Sequence, residues 1–378
     1  MKLLITQANL TLRGGAERIL LKIAQHYNAD IYTAEYDEKS TFPEFGDLNV
    51  NVIGNVPKAL PYGRASQGLS YGTAFYNYVI KEDYDVINAH IAPSHWIRNR
   101  NERVLWYCHT PLREVWDLYD YRMSLRKFWQ KPIYVVGAGL VRRMDRRVTK
   151  DIEFIFANNK IVKERLAKYL NRPDSVVLNG GIEYETFRNE DDDKYFFYPS
   201  RFSPNKRQDF AIRAFEIFRK KHPNYKLILS GSVSRDPLYL NYYKKLVKMA
   251  SGSKGVLLLT DVDEERLRDF YARCTAVVYV PVNEDYGLVP LEAQASGKPV
   301  IAINEGGPME TVVNAKTGFL INNEKELAEA MEHIASHPAR AKEMGQAGIS
   351  RIRKSYSWNR FFEVFDEGLK KVSKKPTS

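Results

Sequence analysis

Cysteine is scarce in this chain of 378 residues, and long hydrophobic runs are missing from it. Its two cysteines, Cys108 and Cys274, cannot build a disulfide framework and lack metal-ligand spacing, which favours a reducing compartment. The long apolar stretch at 133–141 falls well short of the roughly 20 residues that a membrane-spanning helix needs. The apolar run at the amino terminus is too short for a signal peptide, so we expect a cytoplasmic protein.

The composition is that of a globular protein, with 44% hydrophobic and 27% charged residues, and it excludes a disordered or collagen-like chain. The chain is too long for one ordinary core, so we expect two domains of roughly 150–200 residues each. Its 57 Lys+Arg against 46 Asp+Glu leave a net charge of +11. Such a charge favours anionic partners: phosphorylated ligands, acidic lipid headgroups or nucleic acid.

Apolar strand-like segments alternate with amphipathic helical patterns along the whole chain. This alternation predicts parallel sheets covered by helices. Turn residues and acids interrupt the pattern from 179 to 193, after which a second series begins. We therefore predict two doubly wound, Rossmann-like α/β domains, at 1–190 and 191–356, that face a central cleft. Their ligands are expected in loops that follow the carboxyl ends of strands.

The strongest motif lies at 284–292, after one predicted strand and at the start of a helix. The free amides at the helix start, including those of Gly287 and Leu288, form an anion site suited to a diphosphate. Gly287 adds no Cβ that would hinder a phosphate. Glu292 has the chemistry to accept both hydroxyls of a ribose, and Glu284 those of a sugar. The alternative is that both acids merely complement the helix dipole.

A second loop carries two cations, Arg201 and Lys206, after a predicted strand at 195–198. Arg201 offers phosphate oxygens a planar fork, and Lys206 offers them a mobile point charge. We expect both at the cleft. The alternative is a pair of solvated surface cations.

Two positions of the amino-terminal half are candidates as well. Gly14-Gly15 follows the first predicted strand, but no G-x-G-x-x-G occurs there, which argues against a nicotinamide dehydrogenase. His109 follows the strand at 103–108, where it has the chemistry to hydrogen-bond a substrate hydroxyl or stabilise developing charge. A structural histidine is the alternative.

The segment 119–150 is basic and rich in aromatic residues. Such a segment is suited to an anionic membrane surface. A solvated helical face explains the same composition equally well. The basic residues of the segment are Arg122, Arg126, Lys127, Lys131, Arg142, Arg143, Arg146, Arg147 and Lys150.

Taken together, these motifs resemble glycosyltransferase family 4, whose members are retaining sugar-nucleotide enzymes of the GT-B fold. The string at 106–113 with Trp116-Asp117 is similar to mannosyltransferases of polysaccharide and O-antigen assembly. The motifs that carry the family resemblance are Gly14-Gly15-Ala16-Glu17, Leu178-Asn179-Gly180, Arg201 with Lys206, Glu284 with Glu292, Gly306-Gly307 and Thr317-Gly318-Phe319-Leu320.

The resemblance implies a role for each candidate residue. Arg201, Lys206 and the helix-start amides would hold the donor diphosphate, Glu292 the ribose, and Glu284 the transferred sugar. His109 would contact the sugar, Gly15 the phosphate and Val262 the base. The implied donor-binding residues are thus Gly15, Arg201, Lys206, Val262, Glu284, Gly287, Leu288 and Glu292, and the implied catalytic residues are His109, Glu284, Arg201 and Lys206.

The resemblance further implies a reaction and a setting. A hexose would move from a nucleoside-diphosphate sugar, GDP-mannose being favoured, to a hydroxyl of a saccharide or lipid-linked acceptor. No metal and no further cofactor would be needed; an acidic string at 191–193 lies in the linker and is interpreted as solvated. Residues 357–378 would form a helix and tail packed back on the first domain. The enzyme would be cytoplasmic, with peripheral binding to the inner face of the plasma membrane.

Two other functions stay open on the sequence alone. One is a sugar-nucleotide 2-epimerase on the same fold, which would convert its donor without an acceptor. The other is a nucleic-acid-binding protein, suggested by the charge but lacking any helix-turn-helix, zinc or RRM signature, so nucleic acid is not an expected partner.

Overall fold

A computed structural model describes residues 1–54, 56, 64–124, 126–234 and 236–373, and it divides into two compact units. The first unit is Met1–Gly180 with Phe361–Ser378, and the second is Gly181–Arg360. The division comes at residue 180, whereas we predicted a boundary at 190. Its cause is local: the amide of Ile182 donates to the Tyr356 carbonyl at 2.8 Å, which ties the first residues after Gly180 to the second unit.

The first unit is a seven-stranded parallel sheet in the order β3-β2-β1-β4-β5-β6-β7, with helices between the strands. Its strands are β1 Leu3–Gln7, β2 Asp30–Thr33, β3 Val50–Val52, β4 Val86–Ala89, β5 Val104–Cys108, β6 Phe154–Ala157 and β7 Val176–Val177. Its helices are α1 Gly15–Tyr27, α2 Arg64–Asn77, α3 Tyr119–Ser124, α4 Lys131–Lys150 and α5 Lys160–Leu170.

The second unit is a six-stranded parallel sheet in the order β10-β9-β8-β11-β12-β13. Its strands are β8 Tyr195–Pro199, β9 Lys226–Ser230, β10 Val256–Leu259, β11 Ala276–Tyr279, β12 Val300–Ile303 and β13 Gly318–Ile321. Its helices are α6 Gln208–Arg219, α7 Pro237–Gly252, α8 Glu264–Arg273, α9 Leu288–Ala295, α10 Pro308–Thr311, α11 Glu324–Ser336 and α12 Pro338–Ser355. A last helix, α13 Trp358–Val372, runs from the second unit into the first.

The central strands are buried on both faces, which explains their unbroken apolar sequences. Every residue of β5 and of β8 is buried. Strands of this kind occur in parallel sheets that helices cover on both sides. The prediction of two doubly wound α/β domains is therefore confirmed.

The carboxy-terminal helix packs within the first unit, as expected. Phe361 lies edge-on to Tyr107 at a ring distance of 5.7 Å, and the hydroxyl of Tyr27 donates to Asp366 at 2.7 Å. A side chain at Gly368 would collide with the ring of Phe156. The helix thus closes one face of the first sheet.

A buried carboxylate attaches α4 to the first unit. Asp145 accepts hydrogen bonds from His95 and Trp96, both at 2.8 Å, and from Trp116 at 2.9 Å. A buried charge is tolerated only when several donors surround it. These three hydrogen bonds fix the rotation of α4 about its own axis. The face of α4 opposite Asp145 is therefore exposed to solvent.

Candidate functional site

The strand order of the second sheet reverses between β8 and β11, which are neighbours. In open α/β sheets, ligands bind in a crevice at the carboxyl ends of the strands, at such a switch point. The loop after β8 carries Arg201 and Lys206, and the loop after β11 carries Glu284. The Val282 amide donates to the Asn205 carbonyl at 2.8 Å and joins the two loops.

Lys206 and Glu284 form an ion pair at this switch point. The Lys206 ammonium also donates to the Tyr279 hydroxyl at 3.2 Å. The hydroxyl of Tyr198, at the end of β8, donates to the Lys206 carbonyl and fixes its backbone. Burial, followed by the nearby Glu284 carboxylate, raises the pKa of Tyr279 well above its ordinary value, so its hydroxyl stays neutral.

Arg201 is the solvent-exposed cation of this loop. Its backbone is held because the buried Gln208 amide donates to the Arg201 carbonyl at 2.9 Å. Its guanidinium is exposed and makes no hydrogen bond or ion pair within the described ranges 126–234 and 236–373. One of the two predicted cations is thus paired, and the other is available to an anion.

The amino-terminal end of α9 lies beside Tyr279 and Glu284, with Gly287 at the point of contact. Gly287 has a φ of 81°, and a Cβ there would lie 3.1 Å from the Tyr279 ring. Pro290 has no N–H, so the amides at the start of α9 are those of Gly287, Leu288 and Val289. None of the three donates to a backbone oxygen in the part of the chain that the structure describes.

The loop after β12 packs against the backbone of Glu284. The Gly307 amide donates to the Glu284 carbonyl at 2.6 Å. Gly306 has a φ of 65°, and a Cβ there would overlap the same carbonyl. Two glycines are needed because the loop backbone packs directly on the Glu284 backbone.

Glu292 is oriented by a buried tyrosine. The Tyr271 hydroxyl, on α8, donates to one oxygen of Glu292 at 2.6 Å. Burial, followed by the Glu292 carboxylate, raises the pKa of Tyr271 well above its ordinary value, so Tyr271 keeps the proton that it donates. The second carboxylate oxygen of Glu292 has no hydrogen-bond partner among the residues that the structure describes, so it is available to a ligand. Val262 belongs to the loop after β10, two strands away from β8 in the sheet.

In the first unit, Gly15 begins α1 after β1, and His109 follows β5. His109 is buried, and its Nε2 lies 3.1 Å from Nδ1 of His90. The Nε2 of His90 lies 2.8 Å from the Asn88 side-chain oxygen. Desolvation lowers the pKa of His109 to about 3, so the imidazole is neutral near pH 7.

Sequence reasoning missed the residues that hold these candidates in place. Tyr198, Tyr271 and Tyr279 sit in segments that look like ordinary apolar core, and nothing local marks their hydroxyls. His90 is different, because it follows β4 just as His109 follows β5, and the same strand-end rule would have found it.

Across the described residues, no three His, Cys, Asp or Glu side chains come together as metal ligands. None of the helices that the structure describes is apolar over enough of its length to traverse a bilayer.

Comparison with known proteins identifies the family. Residues 13–186 match the family model described as Glycosyltransferase Family 4, and residues 183–351 match the model described as Glycosyl transferases group 1. The alpha-1,3/1,6-mannosyltransferase ALG2 of Mus musculus is 30% identical, covering 95% of this chain and 94% of that protein. The protein of the same name from Dictyostelium discoideum is 26% identical, covering 95% and 96%.

Solved structures share the fold. Anabaena Alr3699/HepE in complex with UDP-glucose has a TM-score of 0.73 at 17% identity, covering 98% of this chain and 99% of that one. Sucrose-phosphate synthase from Thermosynechococcus elongatus has a TM-score of 0.75 at 18% identity, covering 97% and 98%. The chain therefore belongs to glycosyltransferase family 4 and is a glycosyltransferase of the GT-B fold.

Proposed function

We propose that this enzyme transfers mannose from GDP-mannose to a hydroxyl of a saccharide or lipid-linked acceptor, retaining the anomeric configuration. The names of the relatives, alpha-1,3/1,6-mannosyltransferases, support the sugar. The observation that carries the chemistry is the meeting of Lys206, Glu284 and the start of α9 at the switch point of the second sheet.

In this proposal the second unit stabilises the leaving diphosphate. Negative charge grows on that group as the glycosidic bond breaks, and fixed donors stabilise it without reorganising. Lys206 is already held by Glu284 and Tyr279. Among the described residues Arg201 has no hydrogen-bond or ion-pair partner, and the amides of Leu288 and Val289 donate to no backbone oxygen. Gly287 leaves the helix start open to a phosphate.

Carboxylates of the same unit bind the two sugars of the donor. Glu292, oriented by Tyr271, accepts the hydroxyls of the nucleotide ribose. Glu284 accepts hydroxyls of the transferred mannose, since its pairing with Lys206 suits it to hydrogen bonding rather than to nucleophilic attack. Val262 contacts the base, Gly15 the phosphate, and His109 the sugar, as the family resemblance implies.

Donor choice is testable with a panel of nucleotides. We expect GDP and GDP-mannose, but not UDP, ADP or their sugars, to raise the melting temperature. A ligand at 100 times its dissociation constant stabilises by about 2.7 kcal/mol. Transfer of labelled mannose to an acceptor, with a product of unchanged anomeric configuration, completes the test. Stabilisation by no nucleotide contradicts the proposal, and donor conversion without acceptor indicates an epimerase.

The enzyme needs no metal in this proposal because Arg201, Lys206 and helix amides carry the charge. Transfer is expected to continue in EDTA at an unchanged rate. Loss of activity in EDTA that Mg²⁺ or Mn²⁺ restores would contradict this part of the proposal alone.

We also propose that α4 docks on the cytoplasmic face of an anionic membrane. One stripe of this helix is exposed, apolar at its start and basic at its end: Ile133, Val136, Leu140, Arg143 and Arg147. Phe128, just before the helix, is 84% exposed. Apolar insertion next to basic residues is typical of helices that lie in a membrane interface.

The structure separates arginines that look equivalent in sequence. Arg142 donates to the Val115 carbonyl at 2.6 Å, and Arg146 donates to the Tyr169 carbonyl at 3.0 Å, so both hold the helix in place. Arg143 and Arg147 are exposed and have no such partner in the described ranges.

Vesicle sedimentation tests the docking surface. The double variant Arg143→Ser/Arg147→Ser is expected to lose binding to phosphatidylglycerol vesicles, and Ile133→Asp is expected to weaken it further. Lys244→Ser/Lys248→Ser removes the same charge from exposed positions of α7 and is expected to leave binding unchanged. Equal loss in both double variants means that net charge alone drives binding, which contradicts the assignment to α4.

A further inference from the structure

Three buried polar side chains form a hydrogen-bonded chain in the first unit: Asn88, His90 and His109. They come from the ends of β4 and β5, next to each other in the sheet. The function proposed above uses only His109. Asn88 and His90 have no role in it, although burying two such groups is expensive unless their hydrogen bonds are made.

The orientation of Asn88 is fixed by the backbone. Its side-chain nitrogen lies 3.2 Å from the Leu105 carbonyl and donates to it. The reverse orientation would bring two oxygens together. The Asn88 oxygen therefore faces His90, where it can only accept.

This orientation determines where each histidine carries its proton. Because the Asn88 oxygen accepts, Nε2 of His90 bears a hydrogen and donates it over 2.8 Å. The Nδ1 of neutral His90 then has a lone pair, so it accepts from Nε2–H of His109 over 3.1 Å. His109 is left with a bare Nδ1, which has no hydrogen-bond partner among the described residues.

Both rings are held in the neutral form that this chain requires. Burial lowers the pKa of His109 to about 3, and burial followed by the charge of His109 lowers that of His90. The titratable neighbours on β5 are Tyr107 and Cys108. In the described part of the molecule neither imidazole is hydrogen-bonded to a carboxylate, in contrast to His95, which is bound to Asp145.

We propose that Asn88 and His90 are positioning residues that set His109 as a hydrogen-bond acceptor, so that its Nδ1 recognises a hydroxyl and not a phosphate oxygen. An acceptor nitrogen binds an O–H group and repels an oxyanion. The role in transfer rests on the proposed function, but the protonation pattern does not. The two are therefore tested separately.

The protonation pattern is measured first, on the wild-type enzyme without substrate. Long-range ¹H–¹⁵N spectra of protein labelled at histidine distinguish Nε2–H from Nδ1–H rings. His90→Gln and His109→Gln assign the two signals. We expect both residues as Nε2–H tautomers that do not titrate between pH 5 and 8. A hydrogen on Nδ1 of His109, or its titration in this range, overturns the proposal.

Replacing Asn88 by Asp is expected to reverse the direction of hydrogen-bond donation between His90 and His109. In Asn88→Asp the carboxylate favours the imidazolium form of His90, which then donates from Nδ1 to His109 and moves the proton of His109 to Nδ1. Asn88→Leu removes the acceptor and is expected to leave a mixture of tautomers. Asn241→Asp, at an exposed position, controls for the added charge.

Kinetics then test the role in transfer. We expect Asn88→Asp to lower kcat/KM about tenfold, the effect of one lost hydrogen bond, without changing the thermal shift caused by GDP. An unchanged tautomer of His109 in folded Asn88→Asp contradicts the positioning role. A reversed tautomer with unchanged kcat/KM contradicts hydroxyl recognition by His109 and leaves the donor site unaffected. If Asn88→Asp does not fold, the wild-type spectra still decide whether Nδ1 of His109 is the acceptor that the proposal requires.

Discussion

The ammonium of Lys206 is paired with the carboxylate of Glu284, although 77 residues of chain lie between them. The pair is possible because β8 and β11 are neighbours, so the loops that follow them meet. Only 12% of the Lys206 side chain and 25% of the Glu284 side chain are exposed. A cation held in this way is in place before a diphosphate arrives, and its stabilising effect does not require the site to rearrange.

Removing either cation of the β8 loop is expected to reduce glycosyl transfer strongly. Loss of one preorganised charge donor lowers rates by about 10²–10³-fold. We expect Lys206→Ala and Arg201→Ala to lower kcat/KM for the donor by this amount. Lys248→Ala, an exposed lysine of α7, is the control and should retain full activity. Activity within a factor of two in Arg201→Ala would show that the diphosphate assignment is wrong.

A side chain at Gly306 is expected to disturb the site from the β12 loop. Its φ of 65° and its contact with the Glu284 backbone both oppose a Cβ. We expect Gly306→Ala to lower the free energy of unfolding by about 1–3 kcal/mol and to reduce kcat/KM. In Gly252→Ala the new methyl group meets nothing within 4 Å, and stability should not fall. Urea titrations compare the two, and equal stability contradicts the packing argument.

The Asp145 carboxylate is expected to contribute strongly to the stability of the first unit. In Asp145→Asn one of the three N–H donors would face an amide N–H. We expect the free energy of unfolding to fall by about 3 kcal/mol. Asp151→Asn, an exposed change at the end of α4, should stay within about 0.5 kcal/mol of the wild type. A small loss in Asp145→Asn would mean that α4 is held mainly by apolar packing.

Acidification is expected to destabilise the protein through His109. Its pKa is about 3 when folded and about 6.5 when unfolded, so below pH 6.5 the unfolded chain binds more protons. The contribution of this residue is complete above pH 6.5 and is lost as the pH falls toward 3, by about 1.4 kcal/mol per pH unit. His90, whose pKa is also lowered, acts in the same direction.

Urea unfolding at pH 7.5, 6 and 5 measures this effect. His109→Gln is expected to have a shallower pH dependence of stability than the wild type. His337→Gln, at an exposed position, should keep the wild-type dependence. Parallel curves for the wild type and His109→Gln would show that His109 titrates normally in the folded protein.

The helices were the easiest elements to predict. The three helices at the end of the chain each carry a long amphipathic repeat, a pattern that indicates a helix from the sequence alone: Glu324–Ser336, Pro338–Ser355 and Trp358–Val372. β2 and β3 were not predicted. Both are short, and β3 carries exposed residues, so their pairing depends on a neighbouring strand rather than on their own pattern.

The amino-acid sequence determined which residues follow the carboxyl ends of strands: the loop positions of Arg201, Lys206, Glu284 and His109 all follow from local apolar patterns. Only the tertiary structure decided which of them pair. Lys206 is bound to Glu284 while Arg201 is open, and His109 is joined to His90 rather than standing alone. The physical reason is that side-chain partners are chosen by strand order, and strand order results from contacts between segments far apart in the chain.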